Sequence, residues 1–330
     1  MNQVMNSDDN LYMFEAKQGQ PRVAISGCLL GQKVRFDSGH KRDRFVTDNL
    51  SKVLDLIPVC PEIDAGMGVP CPRIHLRRID KELRLFRSDG SMDYTDIMVD
   101  VAKRQSAGLG DRISGYIFKS KSPTCGIERV PVENSNGIKQ DHTGVGLFVQ
   151  YFSRLVPLVP IEEEGRLNDP LLRENFLERV YAYDRWRKLD CHNVAGFIEF
   201  HARHKLMLMA RGSEAYAGLG RIVSGVTRIN LKKRREEYIY EFMRILRRLA
   251  TRKRHFNVLQ HAMGYFKRNL DSEDKQELLD IMQACVKMQV PLAAPMALLS
   301  HHLRKHPDAY LLSQHYLEPY PVSLALRSSV

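Results

Sequence analysis

Arg22-Val23-Ala24-Ile25-Ser26-Gly27-Cys28 is a short apolar run that breaks at a glycine and delivers a cysteine. The pattern recurs as Leu54-Asp55-Leu56-Ile57-Pro58-Val59-Cys60, and as Tyr116-Ile117-Phe118 followed by Lys119-Ser120-Lys121-Ser122-Pro123-Thr124-Cys125-Gly126. Apolar runs of this length bounded by turn residues read as strands. Their alternation with helical stretches predicts an α/β domain with a mostly parallel sheet. In such a sheet the loops leaving the carboxyl ends of the strands share one edge, where ligands bind. Cys28, Cys60 and Cys125 are therefore expected to converge, although they lie 32 and 65 residues apart.

Further strand and helix signals surround these runs. Gly146–Val149 reads as another strand, Thr47 as the cap of a helix through Leu56, and Asp93-Tyr94-Thr95 as the start of an amphipathic helix over Ile97 to Leu109. Leu155 to Gly165, with two prolines and three consecutive glutamates, reads as connecting sequence, and Asn168-Asp169-Pro170 as a helix start. From there the period is helical. Leu172, Phe176, Val180 and Tyr183 share one face, as do Ile239, Phe242, Leu246 and Leu249. The organisation predicted is a flexible N-terminus over 1–20, the α/β domain over 21–157, a linker over 158–167, and an all-α helical domain over 168–330.

The 330 residues suffice for two such domains, each with its own core. Asp8, Asp9 and Glu15 near the start, and no apolar run near the roughly 20 residues of a membrane span, predict a soluble, cytoplasmic protein with no membrane partner. In that compartment cysteines are expected to bind metal or catalyse, not to pair. The net charge of +11 divides as +3 over residues 1–160 and +8 over 161–330, and Arg228 to Arg268 holds thirteen basic and three acidic residues. A basic band of that density predicts a polyanionic partner. Spacing alone leaves the cysteines open to three readings: a cluster, a zinc site, or small apolar side chains packed in a core.

Four strings narrow the choice: Ser26-Gly27-Cys28-Leu29-Leu30-Gly31 with Val34-Arg35-Phe36-Asp37-Ser38-Gly39-His40, then Val59-Cys60-Pro61-Glu62, Lys121-Ser122-Pro123-Thr124-Cys125-Gly126, and Gly144-Val145-Gly146. In this order they resemble the thiouracil desulfidase (TudS) family. Residues 168–310, with Tyr183-Asp184-Arg185-Trp186 and Phe200-His201-Ala202-Arg203-His204-Lys205-Leu206, are similar to a YbgA-like helical domain. The fusion resembles the RudS-type desulfidases linked to removal of 4-thiouridine from tRNA.

The resemblance implies a [4Fe-4S] cluster ligated by Cys28, Cys60 and Cys125, with one iron not ligated by protein and open to a soft sulfur. The substrate it implies is a thiolated uracil, free or as 4-thiouridine in tRNA. It places Glu62 and Ser122 beside the cluster, Glu62 for proton transfer and Ser122 for positioning or relay. Arg35 and Asp37 read as an ion pair or loop anchor, and His40 and Lys41 as phosphate contacts or solvated side chains. His201, Arg203, His204 and Lys205, with Arg247 and Arg248, are the candidate RNA contacts. Cys71, in Gly68-Val69-Pro70-Cys71-Pro72-Arg73, departs from the family pattern and is a candidate fourth ligand. Cys191 and Cys285 read as packing residues. The competing functions are a nucleic-acid-binding or redox-sensing iron–sulfur protein without desulfidase activity, and a zinc hydrolase.

Overall fold

The computed structural model describes residues 19–134, 138–190 and 192–321. Most of the N-terminus expected to be flexible, and Cys191, lie outside the described residues. The chain divides into two compact units, Met1–Arg166 and Leu167–Val330.

The first unit holds two four-stranded sheets. Its strands are β1 (Arg22–Ser26), β2 (Asp55–Val59), β3 (Ile74–Ile79), β4 (Glu82–Arg87), β5 (Gly115–Phe118), β6 (Val130–Glu133), β7 (Lys139–Gly144) and β8 (Ile161–Glu163). The first sheet runs β2-β1-β5-β8, every neighbour parallel. Val23, Ala24, Ile25, Tyr116, Ile117 and Phe118 are fully buried. Continuous burial along a strand marks a parallel sheet covered on both faces. Pro58 sits in β2, an edge strand, where a missing N–H breaks no ladder.

The helices of this unit are α1 (Arg44–Asp48), α2 (Pro61–Asp64), α3 (Thr95–Leu109) and α4 (Leu147–Leu155). Met98, Val101, Ala102, Gln105 and Leu109 form the buried face of α3, as its helical period requires. From α4, Phe148 and Phe152 pack edge-on against Tyr116 and Phe118 of β5, with ring centroids 5.3–6.3 Å apart. The predicted strand over 146–149 is therefore the first turn of a helix. Four consecutive apolar residues fit either period, and here both faces of the turn are buried. The helix expected from Thr47 to Leu56 is also replaced. Asp43 is the cap, accepting from the Val46 amide at 2.9 Å, α1 ends at Asp48, and β2 begins at Asp55.

The second sheet, β4-β3-β6-β7, has mixed pairing and was not foreseen. Leu76, Leu85, Val130 and Val132 are buried between charged neighbours such as Arg77, Arg78 and Glu82, so the strand signal is weak. Asp80 and Lys81, both at positive φ (46° and 74°), turn the β3–β4 hairpin.

The expected linker is structural. Ile161–Glu163 completes the parallel sheet beside β5, and its glutamates turn inward to brace the segment after that strand. Glu163 Oε1 accepts from the Ile127 amide at 2.6 Å, Glu162 Oε1 meets Arg166 Nε at 2.6 Å, and Glu164 binds Lys119 and the Ser120 amide.

The second unit is helical: α5 (Pro170–Arg187), α6 (Val194–Arg203), α7 (Lys205–Met209), α8 (Ser213–Ser224), α9 (Leu231–Leu246), α10 (Arg252–Met263), α11 (Ser272–Val286), α12 (Ala293–Lys305) and α13 (Ala309–Ser313). Asp169 caps α5 by accepting from the Leu171 and Leu172 amides at 2.8 and 3.1 Å, with Pro170 at the first helical position. Glu178 of α5 and Arg211 form an ion pair in which each side chain is 3% exposed. On α9, Ile239, Phe242 and Leu246 are buried as expected, whereas Leu249 lies beyond the helix and is 40% exposed. No helix among the described residues is long and apolar enough to cross a membrane.

Candidate active site

Because β2, β1 and β5 are adjacent and parallel, their carboxyl ends open on one edge, and each is followed by one of the three predicted cysteines. Cys28 lies in a single helical turn directly after β1. The Lys41 amide donates to the Cys28 carbonyl at 3.0 Å and the Asp43 amide to Leu29 at 2.9 Å, which folds residues 31–43 back over this turn. Cys60 follows β2 and caps the short α2, whose first residue is Pro61.

Cys125 is held by a tighter set of bonds. Ser122 Oγ accepts from its amide at 3.1 Å, and the Gly126 amide donates to the Ser122 carbonyl at 2.8 Å. The start of α4 grips the same loop: the Gly146, Leu147 and Val149 amides donate to the Gly126, Pro123 and Thr124 carbonyls at 2.7–3.2 Å. This accounts for Gly146. A Cβ there would stand 2.4 Å from the Thr124 carbonyl oxygen and 2.8 Å from the Cys125 nitrogen, both backbone atoms. Gly146→Ala is expected to destabilise the protein by about 1–3 kcal/mol, as overpacking does, measured by denaturant unfolding.

The three thiols line one cavity of about 770 Å³, together with Cys71, Glu62, Ser122, Arg35, Lys41, Arg73 and Lys119. Cys28 and Cys125 are buried, while Cys60 and Cys71 are half-buried. Burial, then the charge of Glu62, pushes the Cys28 and Cys71 thiols up to about 11 and holds Cys60 and Cys125 above their ordinary range. All four are protonated at neutral pH without a cation among them, so metal uptake releases protons. Among the described residues no three His, Cys, Asp or Glu side chains converge as the ligands of one ion do. Thiolates ringing a cavity fit a multi-iron group. A single zinc needs donors about 2.0–2.3 Å from one point.

Glu62 reaches across the thiols. Its Oε2 accepts from the Cys60 thiol at 3.3 Å and its Oε1 from the Thr124 hydroxyl, which lies 2.9 Å from Ser122 Oγ. The structure thus brings Glu62 and Ser122 together, and joins them through a residue not singled out in the sequence although it lies inside the Ser122–Gly126 motif. A second addition is Lys119, fixed by Glu164 and Ser120. A third is the pair His75 and Glu133, 3.1 Å apart, supplied to the cavity wall by the unforeseen sheet.

Arg35 and Asp37 form an ion pair at 3.4 Å, and Arg35 and Arg73 both lie over the Phe36 ring, at 5.3 and 4.9 Å. Arg35 and Lys41 line the cavity, whereas the exposed His40 accepts from the Arg42 amide at 3.2 Å.

In the helical unit two candidates change role. His201 is 7% exposed, stacked on Tyr216 and 3.1 Å from the Tyr238 hydroxyl, and His204 is fully buried, bonded to the Phe200 carbonyl at 2.7 Å. Burial, then the Lys205 charge, pulls His201 down to about 4, and burial, then His315, holds His204 well below its usual range. Neutral core histidines do not hold phosphate. Lys205 sits between the Tyr216 and Tyr310 rings, at 5.8 and 5.6 Å, and the exposed Arg203 pairs with Glu199 at 3.5 Å. Arg247 and Arg248 are exposed at the end of α9, and Cys285 is buried.

Comparison with known proteins bears on both units. Residues 23–164 match the family model described as 2-thiouracil desulfurase, and residues 205–321 match a protein family of unknown function, DUF1722. An uncharacterised Escherichia coli (strain K12) protein, YbgA, is 30% identical over 159 residues, which cover 47% of this chain and 94% of YbgA. A solved structure described as the [4Fe-4S]-dependent thiouracil desulfidase TudS is 24% identical and covers 46% of this chain and 95% of its own. Its TM-score is 0.36, and the likeness carries no argument about the site. The chain therefore carries a 2-thiouracil desulfurase family domain over residues 23–164, fused to a YbgA-like helical domain that matches DUF1722 over residues 205–321.

Proposed function

We propose that the protein is a cytoplasmic desulfidase that replaces the sulfur of a thiolated uracil by oxygen, with 4-thiouridine in tRNA as its main substrate and a [4Fe-4S] cluster held by Cys28, Cys60 and Cys125. The observation that carries the reading is the delivery of these three thiols, by adjacent parallel strands, to one cavity lined also by Glu62 and Ser122, which the buried Thr124 joins. The family match of residues 23–164 supports the same chemistry.

Bound through three thiolates, such a cluster supplies an iron with a free position, a soft acceptor for sulfur that ordinary uracil, with only oxygen, does not satisfy. Conversion of thiocarbonyl to carbonyl leaves the oxidation state of the base unchanged, so the chain has to manage protons and not electrons. Glu62 is the base within reach of a water in the cavity. Ser122, fixed by two backbone amides, supports Glu62 through Thr124, and Arg35, Lys41, Arg73 and Lys119 give the cavity a cationic lining suited to a phosphorylated substrate. The exposed basic residues of the helical unit, Arg247 and Arg248 among them, are the proposed tRNA contacts.

The test is sulfide release from 4-thiouridine-containing tRNA and from free 2-thiouracil, by one anaerobically loaded sample. Release from neither, with about four irons bound, would leave a regulatory or nucleic-acid-binding iron–sulfur protein. Colourless protein with one zinc would point to the hydrolase. The double reversal Arg247→Glu with Arg248→Glu is expected to lower turnover of tRNA about tenfold or more, through lost phosphate contacts, while free 2-thiouracil is turned over as before. Equal loss on both substrates would remove the RNA role.

A further inference from the structure

Thr124 is fully buried and bonded to both residues assigned to proton handling. Counting hydrogens fixes the direction of each bond. Ser122 Oγ accepts from the Cys125 amide at 3.1 Å and the Thr124 amide at 3.3 Å. Thr124 has one hydroxyl hydrogen, given to Glu62 Oε1. At the 2.9 Å contact between the two hydroxyls, Ser122 must then donate and Thr124 accept. With its hydrogen so committed, the 3.6 Å approach of Thr124 Oγ1 to Cys125 Sγ is a packing contact. The result is a directed chain, Ser122 to Thr124 to Glu62 Oε1.

The other carboxylate oxygen has a different partner. Glu62 Oε2 accepts from the Cys60 thiol at 3.3 Å. A Cys60 that ligates metal has given up that hydrogen. Oε2 is then released from its partner while Oε1 stays tied to Thr124, so the two oxygens are no longer equivalent.

We infer that Thr124 is the positioning residue of the site: it anchors Glu62 through Oε1 so that Oε2 accepts the proton of the attacking water, and it couples this carboxylate to Ser122. The inference rests on the desulfidase reading. The reaction it serves is balanced without an oxidant. Water supplies oxygen to the thiocarbonyl carbon, a C–O bond forms, the C–S bond breaks, and both water protons leave with the sulfur as hydrogen sulfide, one of them by way of Glu62. Backbone amides already satisfy Ser122 Oγ, which leaves Thr124 as the side chain that sets the rotamer of Glu62.

The variants that test this are Thr124→Val, which fills the same space without the hydroxyl, and Thr124→Ser, which keeps it. With iron content matched to wild type, Thr124→Val is expected to lose about 30- to 100-fold in kcat, the scale of a base displaced by about 1 Å, with KM within about twofold. Thr124→Ser should stay within about threefold of wild type in kcat. A crystal structure of iron-loaded Thr124→Val, in which the Cys60 thiol no longer donates to Oε2, should show the Glu62 carboxylate turned away from the 124 position, with Cys28, Cys60 and Cys125 unmoved. Wild-type kcat in Thr124→Val, equal losses in the Val and Ser variants, or an unmoved Glu62 would each overturn the inference. If loaded wild-type protein releases no sulfide, the desulfidase reading has failed instead, and the crystallographic comparison still decides whether Thr124 holds Glu62.

Discussion

Glu62→Gln should load iron as fully as wild type and lose about 100- to 10,000-fold in kcat, the range over which a positioned general base contributes. Glutamine keeps an oxygen for the Thr124 hydroxyl, so the bond that orients the side chain survives while the basic oxygen is gone. The cluster is not expected to suffer. The Glu62 charge is among the causes that raise Cys28, Cys60, Cys71 and Cys125, so neutralising it moves every thiol toward the ionised form that binds metal. Iron content and visible absorption should therefore match wild type or exceed it. A kcat within about threefold of wild type would remove Glu62 from proton transfer, and the His75–Glu133 pair would have to supply the base.

The part of this site that could be read from the sequence is the part carried by local signals. Three apolar runs each followed by a cysteine predicted β1, β2 and β5, and adjacency in a parallel sheet made the convergence of their loops a consequence of topology. Asp169-Pro170 announced the start of α5 in the same local way. What escaped was nonlocal. The β3 strand sets one buried leucine among charged neighbours and β6 is only four residues with a proline inside, and only their pairing in the second sheet brings His75 and Glu133 to the cavity. The three glutamates at 162–164 have the composition of a linker, yet the partners of Glu163 and Glu164, the Ile127 amide, Lys119 and the Ser120 amide, are set by the β5–β8 pairing. His201 and His204 erred in the opposite direction. A basic, histidine-rich string reads as surface, but the helical turn that follows Phe200 packs both rings among Tyr238, Phe242 and Tyr216.

The sharpest division among the cavity thiols is between Cys125 and Cys71. Cys125→Ser should lose most of its iron after anaerobic reconstitution and release no detectable sulfide. Serine presents a hard, protonated oxygen where a soft thiolate is required, and the backbone around position 125 is pinned by Ser122, Gly126 and the start of α4, so no neighbouring group can shift into its place. Cys71 lines the same cavity from the segment 70–72, which belongs to no helix or strand. With three ligands assigned to the parallel strands, Cys71→Ser should retain about four irons and keep its turnover. Iron loss in Cys71→Ser as severe as in Cys125→Ser would make Cys71 a fourth ligand. The free coordination position would then be closed, and the sulfur-accepting role proposed for it would fall even with the cluster in place.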